Sequence, residues 1–310
     1  MRLFATVRKW HQAKRDRSSC VEVGSRIGRG GVPRVSANLQ TGQFYGATQS
    51  RMEAAGLVLT DVRHERGRKL PVHTHESAYF SLLLHGSYKE RFTQKATEYG
   101  PFTLGFHPPA FTHEDEIGVC GARMLCVELR DSFWQNMRGY LTAPKFTPEL
   151  CGEETVWLCV RLYRALRGGT LDAFQIEEAG ADMVERCSET NLVLERSAPG
   201  WLGKAVDFLH ASFRCQVTLD AVATQLDLHP IHLSRVFRKK YGCTLGEYVN
   251  RLRVQFACAE MSRGWPALGE LAFAAGFADQ SHMGRVFKMI VGETPARFRE
   301  LLHKRDRGLA

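Results

Sequence analysis

Arginine and glutamine are well shaped to meet the edge of a base pair, and two stretches of this sequence carry them at helical spacing. Between Pro230 and Tyr241 the chain offers Ile231, Ser234, Arg235 and Arg238; about fifty residues later it offers Gln280, Ser281, His282, Arg285 and Lys288. Arg can fork onto O6 and N7 of guanine, Gln can pair with adenine, and an apolar tip such as Ile231 can touch a thymine methyl. Half or more of protein–DNA hydrogen bonds go to phosphate and sugar, so Arg238, Lys239, Lys240 and Lys288 are expected on the backbone. For each residue taken singly, a solvated helix face is the alternative.

These side chains need elements to hold them, and the sequence repeats one such element. DLHPIHLSRVFRKKYGCTLGEYVNR returns as GFADQSHMGRVFKMIVGETPARFRE, so that Leu233 answers to Met283, Arg235 to Arg285, Phe237 to Phe287, Gly242 to Gly292 and Tyr248 to Phe298. In the first copy Leu219, Val222, Ala223 and Leu226 fall at i, i+3, i+4 and i+7 behind Thr218 as N-cap, which predicts a short amphipathic helix. After a turn at Asp227 and Leu228, His229 and Pro230 start a second helix with the stripe Leu233, Val236, Phe237 and Tyr241, closed by Gly242. The second copy repeats this with Leu268, Leu271, Ala272 and Ala275, a turn from Gly276, then Met283, Val286, Phe287 and Val291 before Gly292. The offset is 49 before the turn and 50 after it, so the second turn has one extra residue. The segment from Gly246 to Met261 is expected to join the copies as one helix of roughly 24 Å.

The last 110 residues resemble the AraC/XylS family of transcriptional regulators, whose second motif is matched by AAGFADQSHMGRVFKMIVGETPARFR. The resemblance implies an all-α double helix-turn-helix whose two recognition helices enter successive major-groove faces of double-stranded DNA. It also implies base-reading roles for Ile231, Ser234, Arg235, Gln280, Ser281, His282 and Arg285. Two positions depart from the pattern: Asp227 stands where the first turn usually has Gly, and Gly284 lies inside the second recognition helix.

Upstream, short apolar or alternating runs (GLVLTDV, YFSLLLHGSY, FTLGF, RMLCVEL) separated by Gly, Pro and charged turns predict a small all-β barrel or sandwich. His73-Thr-His75, Gly86, Gly100 and the run from Pro109 to His113 resemble the two motifs of a cupin barrel. In metal-binding cupins the H-x-H pair, a carboxylate four or five residues on and a second-motif histidine share one ion; here the carboxylate position falls on Tyr79 or Phe80. His73, His75 and His113 could still hold a divalent metal ion with an open position, but no metal or other cofactor is assigned. The reading preferred is that these rings, with Tyr79, line the barrel mouth and meet a small effector. Glu76 is expected on the opposite strand face, and His85 and His107 in turns or at the surface.

Between Asp131 and about Asn191 the period turns helical in TVWLCVRLYRALRGG and DAFQIEEAGADMVERC; these stripes must be buried against the barrel or against a second copy of the chain. The domains expected are thus a basic flexible arm (1–50), a cupin-like effector-sensing domain (51–130), a helical dimerisation or linker segment (131–200) and the double helix-turn-helix (201–310), with Ser197–Gly200 as linker.

The formal net charge is +9, unevenly spread: +7 over residues 1–50, −4 over 51–200 and +6 over 201–310. A basic terminal domain suits a polyanionic partner. The nine cysteines include no CxxC pair, which argues against a disulfide framework or a cysteine zinc site. No apolar run approaches the roughly 20 residues of a bilayer span, so a cytoplasmic chain with no membrane partner is expected. No Ser-His-Asp order, phosphate-binding glycine loop or paired-carboxylate constellation stands out, so the chain is read as a regulator and not an enzyme. Its expected partners are DNA, an effector, a second copy of the chain and, for an activator, RNA polymerase. Two other classes are a metal-dependent cupin enzyme with an accessory basic domain and a nonspecific architectural DNA-binding protein.

Overall fold

Along the strand Ala78–Phe92, Phe80, Leu82 and Leu84 belong to one apolar cluster and Tyr79, Leu83 and Tyr88 to another. Strand side chains alternate between faces, so both faces of this sheet are covered, one by helices and one by the barrel's own interior. This explains why the strand reads as a nearly unbroken apolar run. Leu125 and Val127 against Met124 and Cys126 divide in the same way on the strand His113–Leu129.

A computed structural model describes residues 37–303 except 93–94, 138–148, 151–152, 169–170, 194–198 and 265. Among them the sheet contains β1 (Ala37–Leu39), β2 (Ala47–Ala54), β3 (Leu57–His64), β4 (Lys69–His75), β5 (Ala78–Phe92), β6 (Lys95–Tyr99), β7 (Leu104–His107), β8 (His113–Leu129) and β9 (Glu149–Leu150). The order is β1-β4-β8-β5-β7-β9, with β3 also on β8, β2 on β3 and β6 on β5; every pairing is antiparallel except β1 with β4. The long strands β5 and β8 pair along their length and curl the sheet into a half-barrel. Their register shifts beside Gly86, where φ is +83° and an added Cβ would lie 1.8 Å from the Gly121 carbonyl oxygen, so this bend admits only glycine.

Residues 37–50, assigned by the sequence to the arm, instead form β1, a turn and the start of β2; the rest of that expected arm, 1–36, lies outside the described residues. The turn is held by both Glu128 carboxylate oxygens, which accept the Gly42 N–H at 2.9 and 2.8 Å. Burial raises the Glu128 carboxyl to about 7 despite that hydrogen bond and the nearby Arg51 and Arg130. A raised acid holds its proton in the folded state after the unfolded chain has released it. The contribution of Glu128 to stability therefore falls as pH rises from about 4.5 to 7 and levels off above. Glu128→Gln should remove that contribution, so that the variant gains on wild type by up to about 3 kcal/mol between pH 5 and pH 8, read from urea unfolding of both at the two pH values.

The helices are α1 (Asp131–Asn136), α2 (Glu153–Gly168), α3 (Ala173–Val193), α4 (Gly200–Ser212), α5 (Leu219–Gln225), α6 (Pro230–Tyr241), α7 (Leu245–Arg263), α8 (Leu268–Ala274), α9 (Gln280–Val291) and α10 (Pro295–His303). The stripes of α2 and α3 (Val156, Cys159, Val160, Tyr163; Ile176, Ala179, Met183) are buried in one cluster with Leu57, Phe80 and Val127 of the sheet. These helices are covered by the barrel of their own chain. Of the expected linker, Ser197 and Ala198 lie outside the described residues, and Pro199 caps α4.

The helical repeat is present with its extra residue. Asp227 and Gly276 both take left-handed backbone, at φ +54° and +87°. The next helix is capped by His229 Nδ1, which accepts the Ile231 N–H, in the first copy and by Asp279, which accepts the His282 N–H, in the second. Ala278 is the insertion. Gly242 and Gly292 end both helices in left-handed conformation, and Thr244 with Glu247 forms a capping box that starts α7.

The two copies are packed differently. Leu233 and Phe237 of α6 lie in a core made with α4, α5 and the first half of α7. Met283, Val286, Phe287 and Phe298 share a core with the second half of α7 and with the barrel. Polar contacts reinforce that joint: Gln255 donates to the Phe102 carbonyl at 2.8 Å, Tyr163 to the Leu301 carbonyl at 3.0 Å, and Arg164 to the Val291 carbonyl at 2.9 Å and to Glu293 at 3.0 Å. His85, expected in a turn or at the surface, instead donates from Nδ1 to the Ser262 carbonyl at 2.5 Å. It stands on β5 at the joint between barrel and α7.

Candidate functional site

Burying an apolar stripe on a helix turns the remaining residues outward. On α6, Leu233 and Phe237 are buried while Ile231, at 62%, Arg235, Arg238 and Lys239 are exposed. Ser234 and Lys240 are half-buried. On α9, Met283, Val286, Phe287 and Val291 are buried while Gln280, Ser281, Arg285 and Lys288 are exposed. His282 is drawn in: its ring lies edge-on to Phe277 at 5.3 Å. The structure therefore gathers Ile231 with Arg235 on one exposed face and Gln280, Ser281 and Arg285 on another. Gly284 is in ordinary helix with nothing within 4 Å of an added Cβ.

The two faces are fixed relative to each other by α7, about 28 Å long at 19 residues, and by two arginines. Arg253 of α7 donates to the Phe213 and Cys215 carbonyls at 2.8 and 2.9 Å, and Arg214 donates to the Ala274 carbonyl at 2.8 Å. Gly276 packs on the Arg214 backbone, where a Cβ would come within 2.6 Å of the carbonyl oxygen. The turn of the second unit thus rests on the segment that closes α4.

The barrel interior holds the second cluster. His73 and His75 come from β4 and His113 from the start of β8; all three are buried, and their ligating nitrogens lie within 4.8 Å of one another. His73 Nδ1 is 2.8 Å from the Pro71 carbonyl and His113 Nδ1 3.2 Å from the Phe111 carbonyl. With those carbonyls accepting, Nε2 of each ring is left as the lone-pair nitrogen. Tyr79 joins the group, its hydroxyl 3.4 Å from His113 Nε2 and its ring 4.6 Å from that of His75. Glu76, expected on the opposite strand face, is exposed in the bend just after β4. Burial lowers the histidines: His75 to about 2, His113 to about 4, and His73 below its ordinary value, with the neighbouring rings adding to the effect in His75 and His73. At neutral pH these imidazoles are neutral.

Three residues of this interior were not legible in the sequence. His107, expected in a turn or at the surface, is buried on β7 with Nε2 2.9 Å from Glu90, and its ring stacks on Tyr79 at 4.4 Å. Burial alone would raise the Glu90 carboxyl, but the charge and hydrogen bond of His107 hold it low. Asp115 follows His113 by two residues on the same strand face. Its Oδ2 is 3.8 Å from His113 Nε2, and burial raises it to about 7. An H-x-D pattern at a strand start would have been the signal for Asp115; Glu90 and His107, 17 residues apart, had none.

Comparison with known proteins places these elements. A helix-turn-helix domain family matches residues 222–301. The chain is similar to the bifunctional transcriptional activator and DNA repair enzyme AdaA of Bacillus subtilis, 32% identical over 117 residues, 38% of this chain and 54% of AdaA. It is also similar to the probable transcription factor PqrA of Proteus vulgaris, 34% identical over 84 residues, 27% of this chain and 69% of PqrA. The match thus spans about half the length of AdaA and two thirds of PqrA. Among solved structures, ToxT from Vibrio cholerae aligns with 80% of this chain and 100% of its own at 12% identity, with a TM-score of 0.36. No helix among the described residues is long and apolar enough to cross a membrane. With its doubled helix-turn-helix and with PqrA 34% identical and matched over two thirds of its length, the chain belongs to the AraC/XylS family of transcriptional regulators.

Proposed function

We propose that this chain is a sequence-specific, double-stranded-DNA-binding transcriptional regulator whose activity is set by a small ligand held in a cupin-like N-terminal half-barrel. The observation that carries the reading is the pair of exposed polar faces on α6 and α9, each backed by a buried stripe and capped alike, held at fixed spacing by α7. Ile231, Ser234, Arg235, Gln280, Ser281, His282 and Arg285 are the proposed base readers, with His282 able to reach a base only if its ring leaves Phe277. Arg238, Lys239, Lys240 and Lys288 are the proposed phosphate contacts. A second copy of the chain and, for an activator, RNA polymerase complete the proposed partners, with DNA as the site of action in the cytoplasm. The barrel cavity, of about 30 Å³ and lined by His73, His75, Tyr79 and His113, has room for on the order of two waters and is the proposed place of that ligand.

Selection from random duplex DNA by the full-length protein at fixed salt tests the reading. Two short enriched blocks about one helical turn apart are expected; retention of all sequences alike, with a steep salt dependence, would favour an architectural protein. On the selected site Arg285→Ala should lose about 1–3 kcal/mol of discrimination at one base pair, whereas Lys288→Ala should weaken selected and scrambled DNA equally. Equal effects of both changes on both DNAs would refute the assignment of Arg285.

A further inference from the structure

We infer that the ligand of the barrel is a single divalent transition-metal ion, taken by His73, His75 and His113 with the Asp115 carboxylate as fourth ligand. The inference rests on the regulator reading for the ion's role as effector; the binding site itself stands on the following geometry.

Room comes first. About 30 Å³ is room for an ion with a water or two. The donors come next. In a tetrahedral site with bonds of about 2.1 Å the ligand atoms stand roughly 3.4 Å apart. The three histidine nitrogens already lie within 4.8 Å of one another, so ring rotations with a closure of about an ångström would bring them to that spacing, and Asp115 Oδ2, 3.8 Å from His113 Nε2, is the carboxylate that would swing in beside them. His73 and His113 have their outer nitrogens on backbone carbonyls, the arrangement that aims the inner nitrogen at an ion and sharpens its basicity.

Unsatisfied buried atoms supply the independent sign that something is to be bound. His75 is 3% exposed and its Nδ1 has no hydrogen-bond partner, and neither has Asp115 Oδ1. A buried polar atom without a partner is costly, and a cation taken by His75 and Asp115 would relieve that cost. Where a cupin pattern would put its carboxylate the chain has Tyr79, whose hydroxyl points at His113. The acidic ligand comes instead from the strand that carries His113. Three imidazoles and one carboxylate suit Zn²⁺ and its neighbours and not Mg²⁺ or Ca²⁺. With four protein ligands the site is closed, the form of structural and sensing metal centres, whereas catalytic ones keep a position open.

The test uses full-length protein stripped with chelator and titrated with Co²⁺ and then Zn²⁺. Expected are one equivalent per chain, the visible absorption of four-coordinate Co²⁺, and its loss on Zn²⁺ addition. His113→Gln should lower affinity at least 100-fold. Asp115→Asn should lower it about 10- to 100-fold and change the Co²⁺ spectrum while retaining uptake. Circular dichroism of each variant identifies any that is unfolded. Wild-type protein that takes up neither ion at micromolar concentration overturns the site, as does uptake indifferent to both substitutions. Zn²⁺ should also change affinity for the selected DNA at least fivefold; metal uptake with unchanged DNA affinity would overturn the effector role. Because the DNA selection is run on the same protein, selective DNA binding without metal uptake sinks this inference and spares the regulator reading. Metal uptake without DNA selectivity does the reverse to the regulator reading and removes the effector role with it.

Discussion

Arg123→Ala should destabilise the protein by about 3–5 kcal/mol, the cost of leaving a buried charge without its partner. Asp61 on β3 is fully buried and receives the Arg123 guanidinium in a two-point grip, Nε to Oδ1 at 2.9 Å and Nη2 to Oδ2 at 2.5 Å. The third donor of the same guanidinium goes to the Leu302 carbonyl near the end of α10. One side chain therefore closes a buried carboxylate inside the barrel wall and ties down the last helix of the second helix-turn-helix unit. Arg167 stays 3.8 Å from Asp61 Oδ2 and softens the loss without replacing the fork. Arg123→Lys keeps the charge but not the planar pair of donors, so it should fall between wild type and alanine. Adding Asp61→Asn to Arg123→Ala should recover a large part of the loss, since the uncompensated charge goes with it. Urea unfolding of the four proteins decides the matter: an Arg123→Ala cost under about 1 kcal/mol would show that the pair behaves as a surface ion pair.

The second large effect concerns the two recognition helices. Phe237→Ala and Phe287→Ala remove equivalent, fully buried rings, each expected to cost about 3–5 kcal/mol, yet their consequences should differ. Phe237 belongs to the core of α4, α5, α6 and the first half of α7, whereas Phe287 belongs to the core shared with the barrel. Phe237→Ala should therefore detach a separate early unfolding step and leave the main transition in place. Phe287→Ala should lower the main transition itself. Calorimetry, with near-ultraviolet circular dichroism following the barrel tyrosines, separates these outcomes. In the DNA selection Phe237→Ala should lose the block read by the first unit and keep the other. If both changes moved one common transition by the same amount, the two units would share a single cooperative core and the division would be wrong.

Much of the carboxy-terminal half was legible because its information is local. Stripes at three- and four-residue spacing, Thr218 and His229-Pro230 at helix starts and Gly242 and Gly292 at helix ends act within one or two turns of the chain. The doubled pattern located the helices and even the single inserted residue between them. The strands were legible as apolar runs for the same reason. The burial of His107 against Glu90, the approach of Asp115 to His113 and the place of His85 at the domain joint were not, because each depends on where a strand lies in a curled sheet.

Taken alone, the sequence determined the repeat, the caps, the outward faces of α6 and α9 and the presence of three clustered histidine candidates. Which of the two units is fused to the barrel was decided only by tertiary structure. Their stripes are equally apolar in sequence, but only the second meets Phe102, Tyr163 and Arg164, and the closing contacts join residues as far apart as Arg123 and Leu302, 179 positions away. The size of the barrel cavity was likewise a tertiary outcome, since a void is the space left after side chains from β1, β3, β4, β5, β7 and β8 have taken their rotamers. Periodicity acts over a few residues, whereas a cavity and a domain joint are properties of packing among residues that the chain brings together only when folded.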